Sequence, residues 1–283
     1  MGDNMIIAHK YQITGNVGSG RFGSVLKGFC LRSGKIVAVK MEESDGIGTL
    51  RHEATVLHYL DTQKCTNIPQ IYYYGLHRPN HICMVMSYYS EGSLDGLRPH
   101  LQLEEKLAWW NTALDVLEHI HKAGIVHRDI KPQHFVRDKN NEWNLIDFGL
   151  ATSFLDESNA HIRESPKDHI IGSPKYVSLF VHGGRDVVRR DDFLSLIYVF
   201  WELLYGDFIG VGGEENKYST DVLDEFNEKL REQKEFSRFY RLLEMKSDDA
   251  MVDLMVSLFS HAEELSFRDK PNYSLFHHCS FML

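Results

Sequence analysis

The sequence predicts an α+β fold in two lobes, a small antiparallel sheet lobe carrying one helix and then a larger, mainly helical lobe. Three observations carry this expectation. Short β-rich runs separated by Gly, Asn and Pro fill the chain up to about residue 90, one helical periodicity interrupts them, and from residue 103 the apolar spacing becomes helical. The polar stretch Ser90-Glu91-Gly92-Ser93 is the expected junction, giving lobes 1–89 and 90–283 of one domain spanning 1–283.

In order along the chain, the runs Tyr11 to Val17, Ser24 to Phe29, Lys35 to Met41, Ile71 to Gly75 and Ile82 to Met86 read as strands. Leu50, Ala54, Leu57 and Leu60 recur at steps of four, three and three, which places them on one face of a helix. Leu107, Trp110, Leu114, Leu117 and Ile120 mark a long amphipathic helix over 103–121. The stretch from Asp191 to Tyr205 is apolar nearly all round, so it predicts a helix buried on every side, although it carries Glu202. Further helices are expected over 222–243 and 251–259.

Composition narrows the function classes. The chain has 283 residues, 43% of them hydrophobic, with 31 Lys+Arg against 40 Asp+Glu, a formal net charge of −9. The acidic balance argues against nucleic-acid binding, which needs clustered positive charge. The longest apolar stretch, from Phe193 to Tyr205, is too short for the roughly 20 residues of a bilayer span, so a membrane partner is not expected. Cys30, Cys65, Cys83 and Cys279 are scattered with no C-x-x-C spacing, which fits a reducing, intracellular setting, cytoplasmic or nuclear. The 16 histidines include only one adjacent pair and no H-E-x-x-H spacing, so a metal-storage role is set aside.

Four motifs carry chemistry. Gly18-Ser19-Gly20-Arg21-Phe22-Gly23-Ser24-Val25 lies between two predicted strands, where backbone amides freed from Cβ bulk can lie over phosphates. Val37-Ala38-Val39-Lys40 ends an apolar strand on an ammonium that needs a carboxylate. Glu53, on the inward face of the one helix nearby, can supply it. His127-Arg128-Asp129-Ile130-Lys131-Pro132-Gln133-His134 and Leu145-Ile146-Asp147-Phe148-Gly149 complete the set.

In this order the four motifs resemble the glycine loop, strand lysine, H-R-D and D-F-G signatures of eukaryotic protein kinases. A narrower likeness is to the casein kinase 1 group. Gly172-Ser173-Pro174-Lys175-Tyr176-Val177-Ser178 is similar to that group's G-T-x-R-Y-x-S. Arg189-Arg190-Asp191-Asp192-Phe193-Leu194-Ser195-Leu196 matches its R-R-D-D-x-x-S-L, and Asp269-Lys270-Pro271-Asn272-Tyr273 is close to D-K-P-D-Y.

The resemblance implies a bilobal protein kinase fold and transfer of the γ-phosphoryl group of ATP to protein Ser/Thr hydroxyls. It implies that Gly18, Ser19, Gly20, Gly23 and Val25 cover the nucleotide, and that Lys40, held by Glu53, binds the α- and β-phosphates. Asp147 would hold Mg²⁺, Asp129 would receive the substrate hydroxyl proton, and Lys131 would touch the γ-phosphate, with Ser173 bridging Asp129 and Lys131. Met86 is the expected gatekeeper, Ser87 to Tyr89 the hinge that meets adenine, and Ala38 and Leu145 the lining of the base pocket. Asp192 is expected to be structural, accepting N–H groups of the catalytic loop.

One departure stands out: His134 occupies the position of the family's metal-binding Asn. Imidazole suits Mn²⁺ better than Mg²⁺. His134 then ligates a metal with Mn²⁺ favoured, points away and leaves a one-metal enzyme, or marks a chain that has lost catalysis and serves as a binding module or scaffold. It can also be simply a packed polar residue. The group's taste for acidic or already phosphorylated acceptors makes Lys175, with Arg128 near in sequence, a candidate contact to a priming phosphate. A second basic cluster is not evident, since 206–224 contains only Lys217. Ser165-Pro166 reads as loop chemistry or a phosphosite facing Arg128. The expected assembly is a monomer.

Overall fold

The computed structural model describes residues 5–20, 23–43, 48–78, 80–208, 220–247 and 249–277. The chain forms two compact units, one of Met1–Ser93 with Phe135–Gly149, the other of Leu94–His134 with Leu150–Leu283.

The first unit is built on a six-stranded antiparallel sheet in the order β1-β2-β3-β4-β6-β5. Its strands are β1 (Ile6–Ile7), β2 (Tyr11–Gly20), β3 (Gly23–Cys30), β4 (Ile36–Glu43), β5 (Ile71–Leu76) and β6 (His81–Ser87). The five predicted runs are all present; β1, only two residues long, has no readable period. Strand alternation sends Val37 and Val39 of β4 into a core with Ile7, Tyr11, Cys30, Cys83 and Val85. Helix α1 (Thr49–Thr62) buries Leu50, Glu53, Ala54, Val56, Leu57 and Leu60, the predicted face with a carboxylate added.

Register fixes what shares the other sheet face. Val25 pairs with Lys40, which pairs with Met84, while Ala38 pairs with Met86. Gly18 lies opposite Val25, so Gly18, Val25, Ala38, Lys40 and Met86 line one face of the sheet. The hairpin of β8 (Phe135–Arg137) and β9 (Trp143–Leu145) belongs to this unit too. Leu145 N–H donates to Asn67 O at 2.9 Å, Asn67 Nδ2 donates to Trp143 O at 2.9 Å, and Val136 bridges Ser93. A single cut near residue 90 therefore does not separate the units, because these local hydrogen bonds tie residues 135–149 to the sheet unit.

The second unit is helical. Between its helices, β7 (Ile125–Val126) pairs with β10 (Thr152–Ser153). The short helices α2 (Leu94–Leu97) and α4 (Leu179–His182) flank the long α3 (Leu103–Lys122) and α5 (Arg189–Tyr205), and α6 (Thr220–Gln233), α7 (Phe236–Leu243) and α8 (Asp249–Glu264) follow. As the all-round apolar pattern predicts, α5 is buried continuously from Arg190 to Leu203. Trp110 of α3 stacks on Phe200 of α5 at 4.5 Å between centroids, and Phe239 of α7 on Phe259 of α8 at 4.4 Å.

The helix expected over 222–243 is two helices, broken at Lys234 and Glu235. The cause is tertiary: Lys234 is 0% exposed and hydrogen-bonds to residues 52 to 60 positions earlier. No helix of the described residues is long and apolar enough to cross a membrane.

Candidate functional site

In the first unit, β4 and α1 bring the strand lysine and the helix glutamate together. Lys40 Nζ donates to Glu53 Oε1 at 2.7 Å and Oε2 at 2.8 Å, and to Asp147 Oδ1 at 2.9 Å. Burial pulls the Lys40 pKa down, but the two carboxylates outweigh it and hold the ammonium charged, above its ordinary value. Asp147 has φ 68°, a left-handed conformation that is strained for a non-glycine residue and recurs at functional positions.

The glycine motif forms the end of the β2–β3 hairpin, with Gly18 opposite Val25, Ser19 opposite Ser24 and Gly20 opposite Gly23. Arg21 and Phe22 lie outside the described residues. Gly18 N–H donates to Asn16 Oδ1 at 3.0 Å. Ala38 and Met86 are each 6% exposed and Leu145 is 1% exposed. The Ser87 amide already donates to Gln70 O at 3.0 Å, and its hydroxyl oxygen accepts Gln70 N–H at 3.2 Å. Burial pushes the Tyr89 phenol pKa up, so Tyr89 stays neutral.

In the second unit, the catalytic-loop motif and the 172–178 segment meet. Asp129 Oδ1 accepts Ser173 N–H at 2.8 Å, Lys131 Nζ donates to Ser173 Oγ at 2.9 Å, and Lys131 Nζ lies 3.0 Å from Asp129 Oδ2. Burial alone would raise the Asp129 pKa. His134, Lys131 and the Ser173 hydrogen bond reverse this and hold it below the usual carboxylate range. The loop itself is fixed by Asp192, which accepts His127 N–H at 2.6 Å and Arg128 N–H at 2.9 Å. Asp192 also meets His121 Nε2 at 3.0 Å, and His121 Nδ1 meets the Tyr273 hydroxyl. Asp192 and Tyr273 both come from motifs that matched the casein kinase 1 pattern, so part of that likeness is a fold-holding network.

His134 is buried, with Nδ1 2.9 Å from Asp129 O and 3.6 Å from Asp129 Oδ2. A carbonyl can only accept, so Nδ1 carries the proton and Nε2 is the nitrogen through which the ring could ligate a metal. Among the described residues no group of three or more His, Cys, Asp and Glu forms a ready-made metal cage. That is compatible with Mg²⁺, which takes one or two carboxylates and fills its shell with phosphates and water.

Lys175 is engaged. Its Nζ lies 2.8 Å from Glu202 Oε1 and 3.3 Å from Asp207 Oδ1, while Arg98 NH1 reaches the same Glu202 oxygen at 2.5 Å and Tyr176 OH reaches Oε2 at 2.7 Å. A priming phosphate would have to compete with these carboxylates. The Arg128 guanidinium donates to Leu150 O at 2.5 Å, while Ser165 Oγ donates to Asp186 Oδ2 at 2.6 Å. Lys217 lies outside the described residues. Sequence reasoning passed over Glu202, which engages Lys175, and over the buried Lys234, which lies outside the site. A carboxylate within the mostly apolar 193–205 run is the signal that could have found Glu202; Lys234 sits in an ordinary polar helix pattern and offers none.

Residues 11–265 match the family model of the protein kinase domain. The chain is 28% identical to casein kinase I homolog 1 of Schizosaccharomyces pombe over 96% of its own length, and spans 65% of that relative's. The likeness to the casein kinase 1 group therefore runs along nearly the whole chain.

Proposed function

Because this chain belongs to the protein kinase domain family, we propose that it is an ATP-dependent protein kinase of casein kinase 1 type, phosphorylating Ser/Thr hydroxyls. The observation that carries the reading is the triad of Asp129, Lys131 and Ser173. It joins a depressed-pKa carboxylate, an ammonium and the 172–178 segment within 3.0 Å of one another.

Phosphoryl transfer asks a protein for positioning and for charge around the moving group. Asp129, deprotonated and steered by Ser173 N–H, orients the acceptor hydroxyl and takes its proton. Lys131 neutralises the transferred phosphoryl oxygens; a lysine two residues after the catalytic Asp points to Ser/Thr acceptors. Lys40, fixed by Glu53, binds the α- and β-phosphates. Asp147 offers the hard oxygen that Mg²⁺ prefers, and His134 Nε2 offers a softer donor suited to Mn²⁺. When bound, the ion supplies positive charge against the phosphate oxygens. Gly18, Ser19, Gly20, Gly23, Val25, Ala38, Met86, Ser87, Tyr89 and Leu145 complete the nucleotide site in this reading. The acceptor is acidic or primed only to the extent that it displaces Glu202 from Lys175.

His134 favours a second reading, a catalytically impaired scaffold of the same fold. The test is γ-phosphate transfer to casein-like and primed peptides with Mg²⁺ and Mn²⁺ separately, with Asp129→Asn as blank. Incorporation above the blank supports the kinase; ATP binding with incorporation equal to the blank in both metals supports the scaffold.

A further inference from the structure

Lys234 occupies the break between α6 and α7 and is 0% exposed. Among the described residues its ammonium nitrogen has three partners, none a carboxylate: Pro174 O at 2.7 Å, Val177 O at 2.6 Å and His182 Nε2 at 2.9 Å. Burying an ammonium against neutral acceptors alone is costly, so the chain gives up helix continuity and solvation to place this group here. Burial accordingly lowers the Lys234 pKa well below its ordinary value.

Both carbonyls belong to the segment whose other groups are already fixed. Ser173 is held by Asp129 and Lys131, and Lys175 and Tyr176 by Glu202. Tyr176 and Val177 N–H both turn back to Ser173 O, at 2.8 and 3.1 Å. Pro174 has no N–H to give, so its carbonyl is the one backbone group by which that residue can be hydrogen-bonded. Three donors on one flexible stem can meet two carbonyls and an imidazole from a single point, which the planar fork of Arg cannot do and Met cannot do at all.

We propose that Lys234 is a positioning residue for acceptor recognition: by clasping the carbonyls of Pro174 and Val177 it sets the shape of segment 172–178 against which the acceptor chain lies. This rests on the reading of the chain as a Ser/Thr protein kinase. Lys234 touches neither nucleotide nor reacting atoms, so its loss weakens acceptor binding while nucleotide binding and basal chemistry persist.

The test compares wild type with Lys234→Met and, should that variant fold poorly, Lys234→Gln. With dephosphorylated casein as acceptor, Lys234→Met raises the KM for casein about tenfold or more, while the KM for ATP and acceptor-free ATP hydrolysis change less than about twofold. Lys234→Gln, keeping a donor on a shorter stem, falls between. Amide hydrogen exchange at Tyr176 and Val177 rises about tenfold in Lys234→Met with α3 and α5 unchanged. Unchanged exchange, or a KM for casein that stays put while exchange rises, overturns the proposal. So does a parallel loss of casein turnover, ATP affinity and ATP hydrolysis, which would be a merely structural role. If wild type binds ATP but transfers nothing to casein, the kinase reading fails and recognition fails with it; exchange then reports only whether the clasp exists.

Discussion

The backbone N–H of Ser173 donates to Asp129 Oδ1 at 2.8 Å, linking segment 172–178 to the residue proposed to take the acceptor proton. Asp129→Asn keeps the shape but loses the charge and basicity that the hydroxyl requires. The expected result is a fall in kcat of about 10²- to 10⁴-fold with ATP affinity retained, measured by steady-state transfer and by nucleotide titration.

Gly172 precedes that contact with φ 107°, and a Cβ there would lie 2.4 Å from Arg128 O and 2.8 Å from Val177 Cγ1. Both obstacles are close packed, and one is backbone. Gly172→Ala is expected to cost about 1–3 kcal/mol of stability and to reduce transfer, read by urea unfolding and by turnover.

Lys40 neutralises two carboxylates in the first unit, one of them, Glu53, only 3% exposed. Lys40→Met leaves both without their cation. A loss of about 3 kcal/mol is expected, together with loss of ATP binding. Glu53→Gln, which leaves Lys40 partnered by Asp147, should cost less; equal losses would show that the carboxylates are not the reason for the instability.

Burial lowers the pKa of His121, and burial with the Lys234 charge lowers that of His182 from 6.5 to about 2. Above pH 6.5 neither ring binds a proton, folded or unfolded. Below it the unfolded chain takes up protons that the folded rings refuse, so stability falls with acidification, by up to about 1.4 kcal/mol per pH unit for His182, with His121 acting in the same direction. Asp192, whose pKa is held below the usual carboxylate range by His121 and the His127 amide despite burial, adds to this loss only once the pH has fallen into the carboxylate range. Urea unfolding between pH 7.5 and 5 should show this slope, and His182→Gln should flatten it by one ring's share.

If metal ligation by His134 limits the rate, His134→Asn raises transfer with Mg²⁺ more than with Mn²⁺. Equal changes in both metals would remove His134 from the metal site and leave it as support for the Asp129 loop.

Much of the fold was legible because local pattern and tertiary role agree. The period-two alternation of β4 places Lys40 and Ala38 opposite Val37 and Val39, and the three- and four-residue steps of α1 carry Glu53 to the buried face. The Lys40–Glu53 pairing follows from a buried ammonium that demands a carboxylate, whereas the Asp129–Lys131–Ser173 grouping was legible only through the protein kinase resemblance. What was not legible depends on residues far apart in the chain. The break at Lys234 is set by Pro174, Val177 and His182, and the engagement of Lys175 by Glu202 on a helix whose other positions are mostly apolar. The first leaves no mark on the local periodicity, and the second shows only as a carboxylate in an apolar run, with nothing to say which residue it meets.

Because Phe135–Gly149 completes the sheet unit, that unit is interrupted by 94–134 and cannot be finished until residue 149 has been made. During synthesis, at roughly 5–20 residues per second, the growing polypeptide must hold the six-stranded sheet, all of whose strands are made by residue 87, without its β8–β9 hairpin for several seconds. A fragment stopped at residue 93 would never escape that exposed stage, so chaperone capture and proteolysis should concentrate on nascent chains that have not reached residue 149, and halves meant for complementation must be divided elsewhere.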